Sequence, residues 1–522
     1  MDGRARHLTA RCGPSARSSA DPVYRDVDSF LVEHARERGD RVYLDGVAPA
    51  ARLTFGQLDA LTARLGRLLA DRGLRADDRV SVLSDNCAEL VVALLGVQRY
   101  GATVNPINVD VNARNAGQML RDVGPRLVLW HPGIPAELGA LVRESGTDAL
   151  AFDDLAAALD RYPATPGGPR VGSPADIGIL DYTSGTTATP KGVCISHAAW
   201  FHMARGVAER LGITAADALL ECRALAWASP QCLSLGPTLQ TGARLVLAAR
   251  FSRRAFFDWV RDHAVTIAAG VPTLFAMLLA EPVAVTPDQL RSLRFMTSSA
   301  APLAPETQRA FEEGYGVRIV QGCGMTEAGF MALNPPGAPR PGSIGPAVPY
   351  LRVRFVDEGG AACAPGREGE LLVGGPAMAT AYLTEGGRLV GIPAEGFPTG
   401  DLGYADADGY LYLTGRKKDL IIRGGVNIAP LEVTSALLAH PAVAEAATIG
   451  VPDPVYGEAV ASFVVLRDGA DAAPADLLAH CRTRLSDFKL PRHVLVVEAL
   501  PKSDRGKLSR DALRRLWAGA GR

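Results

Sequence analysis

The twelve residues Tyr182 to Val193, YTSGTTATPKGV, constrain this chain more than any other stretch, because small hydroxyls and glycines around one lysine suit a grip on a polyphosphate. They follow an apolar run, Ile177 to Leu180, that predicts a short buried strand, so the loop leaves the end of a sheet where backbone N–H groups can turn toward an anion. Thr183 and Ser184 open the loop, Gly185 lets the backbone approach closely, Thr186 and Thr187 offer hydroxyls, and Lys191 adds a point charge. It is not a Walker A loop, since Pro190 precedes the lysine and Gly192 follows it. The competing reading is a Ser/Thr/Gly surface linker. Lysine usage argues against that: the chain has lysine only at Lys191, Lys417, Lys418, Lys489, Lys502 and Lys507.

From Val27 onward, helix-period and strand-period segments alternate. Gln57 to Arg72 carries Leu58, Leu61, Leu65, Leu68 and Leu69 on one helical face, Arg79 to Leu83 reads as a strand, Ala88 to Tyr100 as a helix and Ala102 to Ile107 as a strand. That rhythm predicts a layered α/β fold. With 522 residues, 48% of them hydrophobic, the chain can bury a large core and divide into more than one domain. Lys+Arg 55 against Asp+Glu 56 leaves a net charge of -1, which gives no general attraction to nucleic acid or an anionic membrane. No apolar run approaches the roughly eighteen residues of a membrane span. The cysteines Cys12, Cys87, Cys194, Cys222, Cys232, Cys323, Cys363 and Cys481 form no C-x-x-C pair, which fits reduced thiols in a cytoplasmic protein. Residues 1–22 are basic, bear Ser, Gly and Pro and lack an apolar segment, so they read as a disordered tail rather than a secretory signal; a transit peptide is the alternative.

Five further motifs follow the loop: QGCGMTE at Gln321 to Glu327, GFPTGD at Gly396 to Asp401, GRKKD at Gly415 to Asp419, GGVNI at Gly424 to Ile428, and PKSDRGKLSR at Pro501 to Arg510. In this order and spacing the set resembles the acyl-adenylating superfamily of acyl- and aryl-CoA synthetases, peptide-synthetase adenylation domains and firefly-type luciferases. The resemblance, strongest to the acyl-CoA synthetase branch, runs from about Asp28 to Leu513. It implies a large layered α/β N-terminal domain, residues 23–415, and a small mobile α+β C-terminal lid, residues 416–522, whose β-rich Val443 to Val465 region suits a small sheet.

The chemistry implied is ATP-dependent activation of a carboxylic acid through acyl-AMP, then transfer to coenzyme A, with Mg²⁺ assisting. On that resemblance Lys507 contacts the carboxylate and the α-phosphate, Thr326 meets the α-phosphate, and Glu327 holds Mg²⁺; read alone, Glu327 equally suits a helix start. Asp401 accepts from the ribose hydroxyls and Arg416 donates to the same sugar. Ser299, Ala300, Cys323 and Gly324 border the nucleotide, while Trp227, Ser298 and Gly322 border the acid; Trp227 reads equally as a core filler. Lys418 falls at the hinge, and Gly424 and Gly425 flank the path of the thiol. The sequence departs from the family pattern at Ala188, at Ser299 and Ala300, at Cys323 where a tyrosine usually packs on adenine, and at Ala381.

With Trp227 facing the pocket, as the resemblance implies, the site suits a small or flat acid, and the aspartate that anchors an amino-acid ammonium is missing. Expected partners are thus the acid, ATP and CoA, with no nucleic acid and no membrane; a carrier protein and a homodimer stay open. Alternatives also remain for the reaction: a carrier-protein thiol or an amine as acceptor, an oxyacid such as nitrite as substrate, or a nucleotide-binding pseudoenzyme.

Overall fold

A computed structural model describes residues 22–165, 167–183, 191–502 and 508–519. Its body is two eight-stranded sheets. In the first, strands 148–151, 127–130, 79–83, 103–107 and 177–182 run parallel, and 192–196, 381–384 and 388–391 continue the sheet antiparallel. In the second, strands 42–48, 244–248, 218–221, 267–270, 295–298 and 319–325 run parallel, flanked by the antiparallel strands 50–54 and 329–333.

One core joins both sheets through helices packed against them. The helix Ala88–Tyr100 buries every residue from Leu90 to Tyr100, as an all-round apolar helix must when no face meets water. Its one buried charge, Arg99, lies 2.8 Å from the carboxylates of both Asp28 and Asp59. The helix Phe55–Asp71 turns Leu58, Leu65, Leu68 and Leu69 inward, starts at a Thr54–Gln57 capping box, and leaves only Leu61 of the predicted stripe half-buried. Separate clusters cover the outer faces, with Phe256, Phe275 and Phe311 against the second sheet and Met119, Leu120 and Leu138 against the first.

The C-terminal part is built differently. An antiparallel four-stranded sheet, 352–356, 369–374, 397–405 and 411–416, is followed by a short 3₁₀ turn, Lys417–Asp419, and then by a five-stranded sheet centred on the hairpin 443–453/457–466. That hairpin shows strict alternation. Val460 and Val464 face Val433, Leu437, Leu477 and Cys481, while Ala459, Ala461 and Phe463 face Leu513 and Trp517. The fold is thus a large α/β N-terminal domain with a small C-terminal domain. None of the described cysteines forms a disulfide, and no helix among the described residues is long and apolar enough to cross a membrane.

Candidate active site

The strands on either side of the Ser/Thr loop pair antiparallel: Tyr182 pairs with Gly192, and the Thr183 N–H donates to the Lys191 carbonyl at 3.0 Å. Ser184, Gly185, Thr186, Thr187 and Ala188 lie outside the described residues, as does Lys507. The exposed Lys191 places its ammonium 5.6 Å from the centroid of the Tyr382 ring. Tyr382 is held beside the loop because strand 381–384 pairs with 192–196, with Tyr382 opposite Val193. Its hydroxyl donates to Glu327 Oε1 at 2.6 Å. Burial first, and then the Glu327 carboxylate, push the Tyr382 phenol well above its ordinary value, so it stays protonated and donating. The departure at Ala381 is thereby accommodated: it is a buried residue in a regular strand, paired with Cys194 and Gly391.

Thr326 and Glu327 occupy the turn of a β-hairpin, between the strands Ile319–Met325 and Gly329–Leu333, and not the first turn of a helix. Gly324 is needed there because a Cβ would meet the Gly329 carbonyl oxygen at 2.3 Å. Cys323 is half-buried opposite Ala332, and Gly322 is buried. The Glu327 residue is only 8% exposed.

Asp401 and Arg416 face each other across strands 397–405 and 411–416, with Arg416 Nε donating to Asp401 Oδ1 at 2.7 Å. Burial raises the Asp401 carboxyl above its ordinary value, and Arg416 offsets only part of that. Lys418 is exposed in the 3₁₀ turn beyond; next to it Asp419 pairs with Arg510 at 2.9 Å. Gly424 and Gly425, with φ of 58° and 82°, form the two-residue turn between Arg423 and Val426, a geometry that favours glycine at both places. The Gly424 N–H donates to the Tyr456 carbonyl at 2.8 Å, within the small domain.

The remaining predicted residues gather at the second sheet. Its parallel strands 218–221, 267–270, 295–298 and 319–325 all end on one edge, where α/β folds carry ligands. Ser298, fully buried, ends one strand opposite Gln321 and Gly270, and Ser299 follows it. Ala300 takes a left-handed φ of 73°, unusual for a residue with a Cβ. Trp227 is half-buried and leads into a short helix that continues as a π-helix over Gln231–Leu235.

Three groups therefore form: Lys191 with Glu327 through Tyr382, Asp401 with Arg416, and Ser298 and Ser299 with the segment that carries Trp227. Tyr382 and Arg223 were not predicted from sequence. Arg223 donates to Ser299 Oγ at 3.2 Å and to Ser229 Oγ at 3.1 Å, and it is paired with the fully buried Glu221. The signal for it was present, an opposite-charge pair inside the apolar run ALLECRALAW.

Residues 31–383 match the AMP-binding enzyme family and residues 432–507 its AMP-binding enzyme C-terminal domain. The chain belongs to the AMP-binding enzyme family. Among relatives, it is 35% identical to a sulfoacetate–CoA ligase of Cupriavidus necator, over 94% of this chain and 97% of that protein. It is 31% identical to an oxalate–CoA ligase of Arabidopsis thaliana, over 93% and 97% respectively. Its structure is similar to that of an anthranilate CoA ligase in complex with anthranoyl-AMP, with a TM-score of 0.86, 27% identity, and 97% of this chain and all of that one covered.

Proposed function

We infer that the protein is an ATP-dependent, AMP-forming acid–CoA ligase acting on a small or flat acid. The observation that carries this reading is the convergence of Lys191 of the loop and Glu327 of the TE pair on the two sides of Tyr382, one against its ring and one at its hydroxyl. A cation and a fixed carboxylate so joined suit a triphosphate and its counter-ion. In the first step a carboxylate oxygen of the acid bonds to the α-phosphorus of ATP and the bond to pyrophosphate breaks. In the second, a CoA thiolate bonds to the acyl carbon and AMP leaves. Both steps crowd negative charge, so fixed donors and cations matter more than a strong base.

In this reading Thr183, Ser184, Gly185, Thr186, Thr187 and Lys191 hold the outer phosphates, and Thr326 and Lys507 meet the α-phosphate. Asp401 and Arg416 hold the ribose, with Ser299, Ala300, Cys323 and Gly324 beside the base. Ser298, Gly322 and Trp227 border the acid. Mg²⁺ fits a site with Glu327 as its one protein carboxylate, because this ion takes one or two carboxylates and completes its shell with phosphate oxygens and water; bound there it would neutralise phosphate charge. Residues 416–522 act as the lid, turning about Lys418 between the two steps, and Gly424 and Gly425 flank the thiol's path.

The test is acid-dependent pyrophosphate release from ATP, followed by thioester formation with CoA. Lys507→Ala is expected to lower the first step by about 10²- to 10³-fold and to spare thioester formation from supplied acyl-AMP. Near-normal adenylation by that variant would remove Lys507 from the site. Thioester on a carrier protein, with none on CoA, would replace the acceptor.

A further inference from the structure

Arg223 and Glu221 form the most buried ion pair at the ligand edge of the second sheet, with side chains 12% and 0% exposed. Glu221 is fully engaged: Oε1 accepts from Arg223 Nε and from the Arg223 backbone N–H, each at 2.8 Å, and Oε2 accepts from Arg223 Nη2 at 2.6 Å and from Ser234 Oγ at 2.8 Å. The carboxylate therefore lies behind the guanidinium, and the free end of the pair, Nη1, points at two serines on separate elements. Ser229 belongs to the short helix after Trp227, and Ser299 follows the strand Phe295–Ser298.

A guanidinium cannot accept a hydrogen bond, so both serine oxygens act as acceptors toward Arg223, and each hydroxyl hydrogen must point elsewhere. Among the described residues neither hydroxyl donates to another protein group. Two O–H donors are thus oriented by one buried cation, with the positive end of the ion-pair dipole behind them. Such an arrangement rewards an oxygen-rich, negatively charged group and gives a methyl group nothing.

We propose that Arg223 sets the acid specificity of this site: fixed by Glu221, it aims the Ser229 and Ser299 hydroxyls at a second oxyanion on the substrate, so the preferred acid is short and carries a carboxylate or sulfonate at its far end. This rests on the adenylating reading above, moves Ser299 from the border of the base to that of the acid, and narrows its small or flat acid to a dianionic one. Arg223 is a positioning residue; the hydroxyls make the contact.

Pyrophosphate release is measured with oxalate, malonate, succinate, glutarate and sulfoacetate, against acetate, propionate, butyrate, valerate and benzoate. The expected result is a kcat/KM at least about tenfold higher for the best dianionic acid than for any singly charged one, the scale of a charge-assisted hydrogen bond. Ser229→Ala is expected to reduce that preference about tenfold, through KM for the acid and not KM for ATP, a split that a purely structural role would not produce. Preference for a singly charged acid, or a Ser229→Ala loss shared equally by both sets, overturns the proposal and leaves acid activation standing. Absence of pyrophosphate release with every acid overturns both.

Discussion

Arg223 and Glu221 stand two residues apart at one strand end, with the carboxylate fully buried, whereas Arg416 and Asp401 meet across two antiparallel strands, with the arginine side chain 50% exposed. Both carboxylates are held by an arginine at close range, but only the first carboxylate is closed on all sides by protein donors. The second leaves its arginine half in water, and its carboxylate has Arg416 and the Thr399 hydroxyl against it. A closed pair fixes geometry and is costly to break. A half-open pair is cheap to disturb and keeps capacity for a ligand, which is why the two respond differently to mutation.

The largest effect is expected from Arg223→Met, which strands Glu221 without its cation. Such a loss costs about 3–5 kcal/mol of stability, and the double variant Glu221→Leu, Arg223→Met should regain most of it. Urea unfolding of the two proteins checks this, and equal stability would mean the pair is not closed. Tyr382→Phe comes next. It removes the donor to the buried Glu327 and should cost on the order of 1.5–3 kcal/mol, read as a rise in KM for Mg·ATP together with a lower unfolding midpoint.

Asp401→Asn separates stability from function. The folded Asp401 carboxyl is raised above its ordinary value, chiefly by burial, so its contribution to stability is fully present below the unfolded value of 3.8 and is lost as pH rises through the folded value. The asparagine variant should therefore be the more stable protein at neutral pH, with the difference vanishing below that unfolded value, while ATP binding weakens about tenfold or more for want of the charged acceptor. Thermal unfolding against pH, with ATP titration at pH 7, decides both parts. Arg416→Ala should weaken ATP binding while changing stability by less than about 1 kcal/mol, in contrast to Arg223→Met. The smallest effect is expected at Ala300, where glycine relieves the left-handed φ of 73° and should stabilise the fold by about 1 kcal/mol, visible as a higher urea midpoint.

Much of the N-terminal rhythm was legible because local periodicity there coincides with burial. The strand Arg79–Leu83 and the helix Ala88–Tyr100 fall where the pattern placed them, and the neighbouring helix and strand differ only at their ends. The hairpin partner 192–196 was not legible, since GVCIS is too short to distinguish a strand from the continuation of a loop. Glu327 was found through its motif, but its place in a hairpin turn depended on the pairing of 319–325 with 329–333, which leaves no local trace.

The sequence by itself determined the family and the order of its motifs, because a Ser/Thr loop around one lysine, a TE pair, an aspartate after TG and a C-terminal lysine each use residue types suited to charged chemistry at set places along the chain. It also determined most of the layered α/β rhythm, because apolar periodicity reports which face of an element leaves water. Tertiary structure alone decided that Tyr382 joins Lys191 to Glu327 and that Arg223 spans Ser229 and Ser299. Those contacts bridge separations of up to 191 residues and depend on strand order, and the relative placement of distant strands is set by packing of the whole sheet rather than by any local preference.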